Sequence, residues 1–197
     1  MCRQRRWAVW MLSLLVLAGC ATPSFDMSDG SIEPVGPDGG IVIGSVLVQA
    51  DQESPDSWYN QWFGRKAAGF TYDFEIVRAQ TIDPDKAGRY ADRYELDAKP
   101  KEERIFVARV AAGNYLIRTF RHEGMSAMGG QLDVRFSVAP GKTHYIGRLI
   151  LDVPRRVTLG SPYTYKVEDA RETTLAVVQK RQPGLAQNVV NAPMQGR

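Results

Sequence analysis

The chain has 197 residues, 24% of them charged, and a formal net charge of +3. That surplus resides in Arg3, Arg5 and Arg6, because removing residues 1–19 leaves 22 basic and 22 acidic side chains. A balanced charge argues against a clustered basic face for nucleic acid and against a polybasic grip on anionic lipid, and cysteines at positions 2 and 20 alone leave no disulfide once the first 19 residues are gone.

Behind the three arginines, residues 8–18 are apolar except for Ser13, and Leu17-Ala18-Gly19-Cys20 closes the run. An apolar stretch this short falls below the ~20 residues of a spanning helix and fits a signal peptide. Ala18 and Gly19 leave the backbone open to a peptidase, and the Cys20 thiol can accept a diacylglyceryl group. The segment resembles the lipobox signal peptide of bacterial lipoproteins. That resemblance implies cleavage between Gly19 and Cys20 and a membrane anchor through acyl chains on Cys20. Each buried methylene adds ~0.8 kcal/mol, so several chains at one residue hold firmly. By resemblance to Gram-negative lipoproteins, in which an aspartate after the lipidated cysteine would favour inner-membrane retention, Ala21 implies sorting to the outer membrane with the domain on its periplasmic face. The competing reading is an ordinary secretory signal with Cys20 near the cut by chance.

Residues 20–40 are the anchor residue and a stretch rich in Pro, Gly, Ser and Asp, which reads as a flexible tether. A coil of about 20 residues spans ~25 Å, enough to lift a domain off the headgroups. From Ile41 onward short segments alternate on period two between Gly and Pro punctuation, the pattern of an antiparallel β-sandwich. Strands are expected at 41–49, 70–78, 104–111, 115–121, 131–138 and 143–152, with weaker ones at 89–96 and 163–168. Alternation is clearest at Phe70, Tyr72, Phe74 and Ile76, with Thr71, Asp73 and Glu75 between them. The densely charged stretch from Asp83 to Arg104 reads as a solvated loop and edge strand.

Two hairpins are expected. Ala139-Pro140-Gly141-Lys142 has turn chemistry, and folding there sets Phe136 against Tyr145, Val134 against Gly147 and Leu132 against Leu149. The opposite face would pair Asp133 with Arg148 and Ser137 with His144. A hairpin at Gly113-Asn114 would set Arg109 against Arg118, a like-charge pair that calls for a bulge or a nearby acid. Towards the end, Asp169 and Glu172 resemble a capping box. Leu175 and Val178 then follow at helical spacing, and Pro183-Gly184 stops the helix. A second short helix is expected over 185–191, closing a domain of 41–191, and a disordered tail over 192–197.

Catalytic signals are absent from the pattern. His122-Glu123 begins like a zinc-protease motif, but position 126 is Ser. A site built from His122, His144 and carboxylates such as Asp133 or Glu123 is the one metal arrangement available, and its alternative is two strand histidines, half exposed, with no metal. Gly141-Lys142-Thr143 imitates the end of a phosphate-binding loop, yet the position of its first glycine holds Phe136. There is no G-x-S-x-G elbow. No cofactor is expected, and the chain reads as a non-enzyme.

Trp58, Tyr59, Trp62 and Phe63 are the remaining candidates, within an excursion from Asp51 to Gly69. On a short helix they would stack at i, i+4 spacing. Such aromatics either plug one end of the sandwich or form a patch for a protein partner or a sugar ring.

Phe106–Ile117 (FVARVAAGNYLI), Phe136–Gly147 (FSVAPGKTHYIG) and the closing Val167–Pro183 segment resemble a group of small bacterial lipoproteins with a transthyretin-like, or carboxypeptidase-regulatory-like, sandwich. The resemblance implies about seven or eight strands and a non-catalytic envelope role. The expected function is a lipid-anchored binding or adaptor module with an envelope protein partner. A carbohydrate- or peptidoglycan-binding module using residues 51–69 is the second reading, and a metal-dependent hydrolase the third.

Overall fold

The computed structural model describes residues 25, 37–52, 62, 65–66, 69–79, 93–122, 129–158 and 160–196. Cys20, Gly19, Ala21, Trp58, Tyr59 and Phe63 lie outside them. The elements in chain order are β1 (Gly39–Gln52), β2 (Arg65–Lys66), β3 (Tyr72–Ala79), β4 (Arg93–Ala98), β5 (Glu103–Ala111) and β6 (Gly113–His122), then β7 (Gly129–Val138), β8 (Thr143–Pro154), β9 (Arg156–Val157) and β10 (Thr164–Glu168), and finally α1 (Arg171–Arg181), β11 (Val190–Asn191) and β12 (Gln195–Gly196). One sheet runs β10-β8-β1-β5, with β11 also on β8, and the other runs β12-β7-β6-β3-β4. The expected β-sandwich is the architecture found.

Period-two alternation places the inner faces. Tyr72, Phe74 and Ile76 of β3 are fully buried, as are Val42 and Val48 of β1, and they meet Phe106, Ile117, Val134 and Leu149 between the sheets. The outer face of the first sheet is also covered. Ile41, Ile43, Val107 and Tyr145 form a second cluster there with Val178 of α1 and Val189. β1 and β8 are therefore buried on both faces, and they pair in parallel, the usual setting for parallel strands.

Neither expected hairpin forms: Pro140-Gly141 do turn, whereas Gly113 and Asn114 already belong to β6. β7 and β8 belong to different sheets, so the Pro140-Gly141 corner arches across the core. Gly141, at φ +68°, donates its N–H to Gly39 O (2.7 Å), and Ile41 N–H bonds Lys142 O (2.9 Å), which docks the corner on β1. Phe136 instead pairs with Tyr115 and stacks on it at 5.1 Å. Asp133 binds Arg135 (2.6 Å), Arg148 binds Glu103 (2.8 Å), and Ser137 donates to Asn114 (2.7 Å). The chain also changes sheets at Ala112, so Arg109 pairs with Ile41. Arg118 sits in a bulge after Ile117, with its guanidinium 4.0 Å from Glu75.

A second bulge turns the β8 face from the one the alternation predicts. The β1–β8 register shifts between Ile43/Tyr145 and Ser45/Arg148, with Gly147 at φ +93°. One extra residue reverses the alternation, so Tyr145 faces the helix while Leu149 faces the opposite sheet.

The helix is capped differently from the expectation. Ala170 holds the N-cap position, so Asp169 lies one residue too early for a capping box with Glu172. Asp169 accepts the Arg171 N–H (2.9 Å), and the Tyr145 hydroxyl accepts that of Ala170 (2.8 Å). Among the described residues, neither the second helix nor the disordered tail follows. Residues 183–188 turn, and β11 and β12 stitch the end of the chain to β8 and β7. Met194 is buried and its N–H bonds Ile146 O (2.8 Å). Isolated apolar residues such as Val189 and Met194 have no periodicity to betray this.

The opposite long side of the sandwich is closed by Phe25, 1% exposed. Its ring meets Tyr94 of β4 and Phe106 of β5 edge-on, at 5.1 and 5.4 Å. Its N–H bonds Glu95 O (3.0 Å). The tether expected through residue 40 is thus pinned at Phe25.

Candidate functional site

The two histidines are not neighbours. His122 ends β6 beside Tyr72, in the region where β8 finishes, whereas His144 stands at the start of β8. Nine residues of strand separate those levels, ~30 Å at 3.3 Å per residue. Both are buried at 4% exposure rather than half exposed, because each is used by the fold. His144 Nε2 accepts the Ala139 N–H at 2.9 Å and braces the arch. His122 stacks against Phe70 with ring centroids 4.0 Å apart. Among the described residues no group of three or more His, Cys, Asp or Glu could hold a metal ion.

Charge on the outer face of the β3–β4–β6 sheet forms an ionic ladder. Arg93 binds Glu75 (2.6 Å), and Arg121 reaches Glu95 (3.2 Å) and Asp73 (3.8 Å). Pairs this exposed add little stability each, and they mark β4 as the charged edge strand that the sequence suggested.

Trp62 is 80% exposed, so this side chain does not plug the sandwich. The two described flanks of the excursion lie at one end of the fold, Gln52 beside Pro154 and Arg65 beside Val157.

That same end holds a cavity of about 220 Å³ between the sheets. Tyr72, Phe120 and His122 line it from one sheet, Val153 and Val157 from the β8–β9 side, and Tyr163 from the loop before β10. Gly130 makes room for this arrangement, because a Cβ there would collide with the rings of Tyr163 and Phe120. Tyr72 is fully buried, and among the described residues its hydroxyl has no hydrogen-bond partner. Burial pushes its phenol from 10.0 up to about 12. The cavity escaped the sequence reading because its walls come from five separate segments. The one signal available was Tyr72, a hydroxyl-bearing residue on the otherwise apolar inward face of β3.

No family model matches the sequence, and no curated protein matches it. Among solved structures the chain is similar to the T6SS lipoprotein TssJ1 from Pseudomonas aeruginosa. Identity is 14%, the match covers 68% of this chain and 99% of that one, and the TM-score is 0.27. An overlap that loose says nothing further about this chain.

Proposed function

We propose that this chain is a lipid-anchored module of the cell envelope, held at the periplasmic face of the outer membrane, that works by binding a protein partner rather than by catalysis. The observation that carries the reading is the closeness of the anchor signal to the fold. Leu17-Ala18-Gly19-Cys20 ends five residues before Phe25, and Phe25 is a core residue. Five residues reach at most about 18 Å when fully extended. A lipid on Cys20 would therefore hold the β4–β5 side of the sandwich near the headgroups and limit which faces a partner can approach. The separated histidines favour binding over a metal-centred hydrolase.

Cys20→Ser tests the anchor. The expected result is loss of metabolic labelling by an alkyne fatty acid and release of the domain into the soluble fraction. Unchanged labelling and membrane association would contradict it.

The exposure of Trp62 favours a second reading, a carbohydrate-binding surface. Titration with peptidoglycan fragments, followed by tryptophan fluorescence, separates the two. The protein-partner reading expects no change, and a saturable quench lost in Trp62→Ala would favour the glycan.

A further inference from the structure

We propose that the cavity between Tyr72, Phe120 and Tyr163 is a binding site for a small, neutral aromatic molecule carrying one hydrogen-bond acceptor, which the Tyr72 hydroxyl holds. The inference does not depend on the lipid anchor.

Size sets the first limit. A dry cavity of roughly 150 Å³ accommodates a benzene ring, and drug-sized sites begin at roughly 300 Å³. The space here is about 220 Å³, which suits a substituted single ring or a fused pair. The walls set the second. Phe120 and Tyr163 meet edge-on at 4.8 Å, and His122 is backed by Phe70. Aromatic faces and edges in this arrangement favour a planar guest. The ion pairs nearest this end lie on the outer face of the sheet, and among the described lining residues there is no carboxylate, lysine or arginine, His122 being the one ionisable group besides the tyrosines.

The polar requirement is the most specific. Other hydroxyls in the lining are committed. Tyr163 donates to Gln131 O at 2.7 Å, and Ser161 Oγ takes the Thr158 N–H at 2.8 Å. Tyr72 Oη alone among the lining hydroxyls is both buried and without a described partner. A buried polar group left unsatisfied is costly, and a guest that accepts its hydrogen bond removes that cost. The phenol is protonated throughout the physiological range, so its O–H is the group left to be satisfied and the guest supplies the acceptor.

The test uses two probes of nearly identical shape, acetophenone and α-methylstyrene, which differ in a carbonyl oxygen against a methylene. Each is titrated into the purified Cys20→Ser chain, and amide shifts are followed by NMR. The expected result is saturable binding of acetophenone, with shifts centred on Gly129, Thr158 and Gly160. Its affinity should exceed that of α-methylstyrene by about fivefold, the worth of one net hydrogen bond. Tyr72→Phe should erase that preference while leaving α-methylstyrene unaffected and the thermal midpoint no lower. Absence of saturable shifts at those amides, or a preference that survives Tyr72→Phe, overturns the proposal. So does binding that emerges only when Trp58 is replaced by Ala, because the space would then belong to the chain's own aromatic segment.

Discussion

Phe25 and Tyr72 are buried residues with opposite energetic signs. Phe25 brings apolar surface between two sheet edges, and its truncation leaves a hole lined by Tyr94 and Phe106. Phe25→Ala should cost about 3 kcal/mol in urea unfolding, whereas a truly flexible tether residue would change nothing measurable. Tyr72 carries a hydroxyl that the fold leaves unsatisfied, so Tyr72→Phe should stabilise the protein by about 1 kcal/mol at neutral pH. Its pH dependence follows from the same burial. The folded phenol titrates at about 12 and the unfolded one at 10.0, so the folded state binds the proton more tightly. The resulting stability is complete below pH 10 and lost as pH rises through 12. Urea midpoints of wild type and Tyr72→Phe should diverge across that window, with the wild type falling faster. Parallel curves would contradict the assignment.

Among the elements, β8 shows what a sequence does and does not disclose. Its span and apolar character were legible, and so was the inward face of β3. Two single-residue bulges, at Gly147 and at Arg118, were not, because each reverses the alternation without disturbing composition. The Pro140-Gly141 turn was legible as a turn, but the same residues serve a hairpin or an arch. Only long-range pairing of β8 with β1 decides between them. Gly147→Ala offers a check on the bulge. A Cβ there would sit 3.2 Å from Glu168 O on a backbone at φ +93°. The expected loss is about 1–2 kcal/mol, and a neutral effect would contradict the bulge. The C-terminal segment offers another. Met194→Ala should lower stability by about 2 kcal/mol, because its side chain is buried. A disordered tail would tolerate the change without effect.

At the scale of the whole molecule, both long sides of the sandwich are closed by segments that composition alone marks as irregular, Phe25 on one and residues 189–196 on the other. Among the described residues, the end bearing the cavity and the exposed Trp62 are left uncovered by these segments. With an anchor on Cys20 the β4–β5 side would face the membrane, and a partner would meet the protein elsewhere. The most direct measurement is photo-crosslinking in living cells, with benzoylphenylalanine at Trp62 and a control at Gln179, which is exposed on α1, each in wild-type and Cys20→Ser backgrounds. A discrete protein adduct from position 62 alone, lost when Cys20 is replaced, is the predicted result. No adduct, or the same adduct from a chain released from the membrane, would contradict a lipid-anchored binding module.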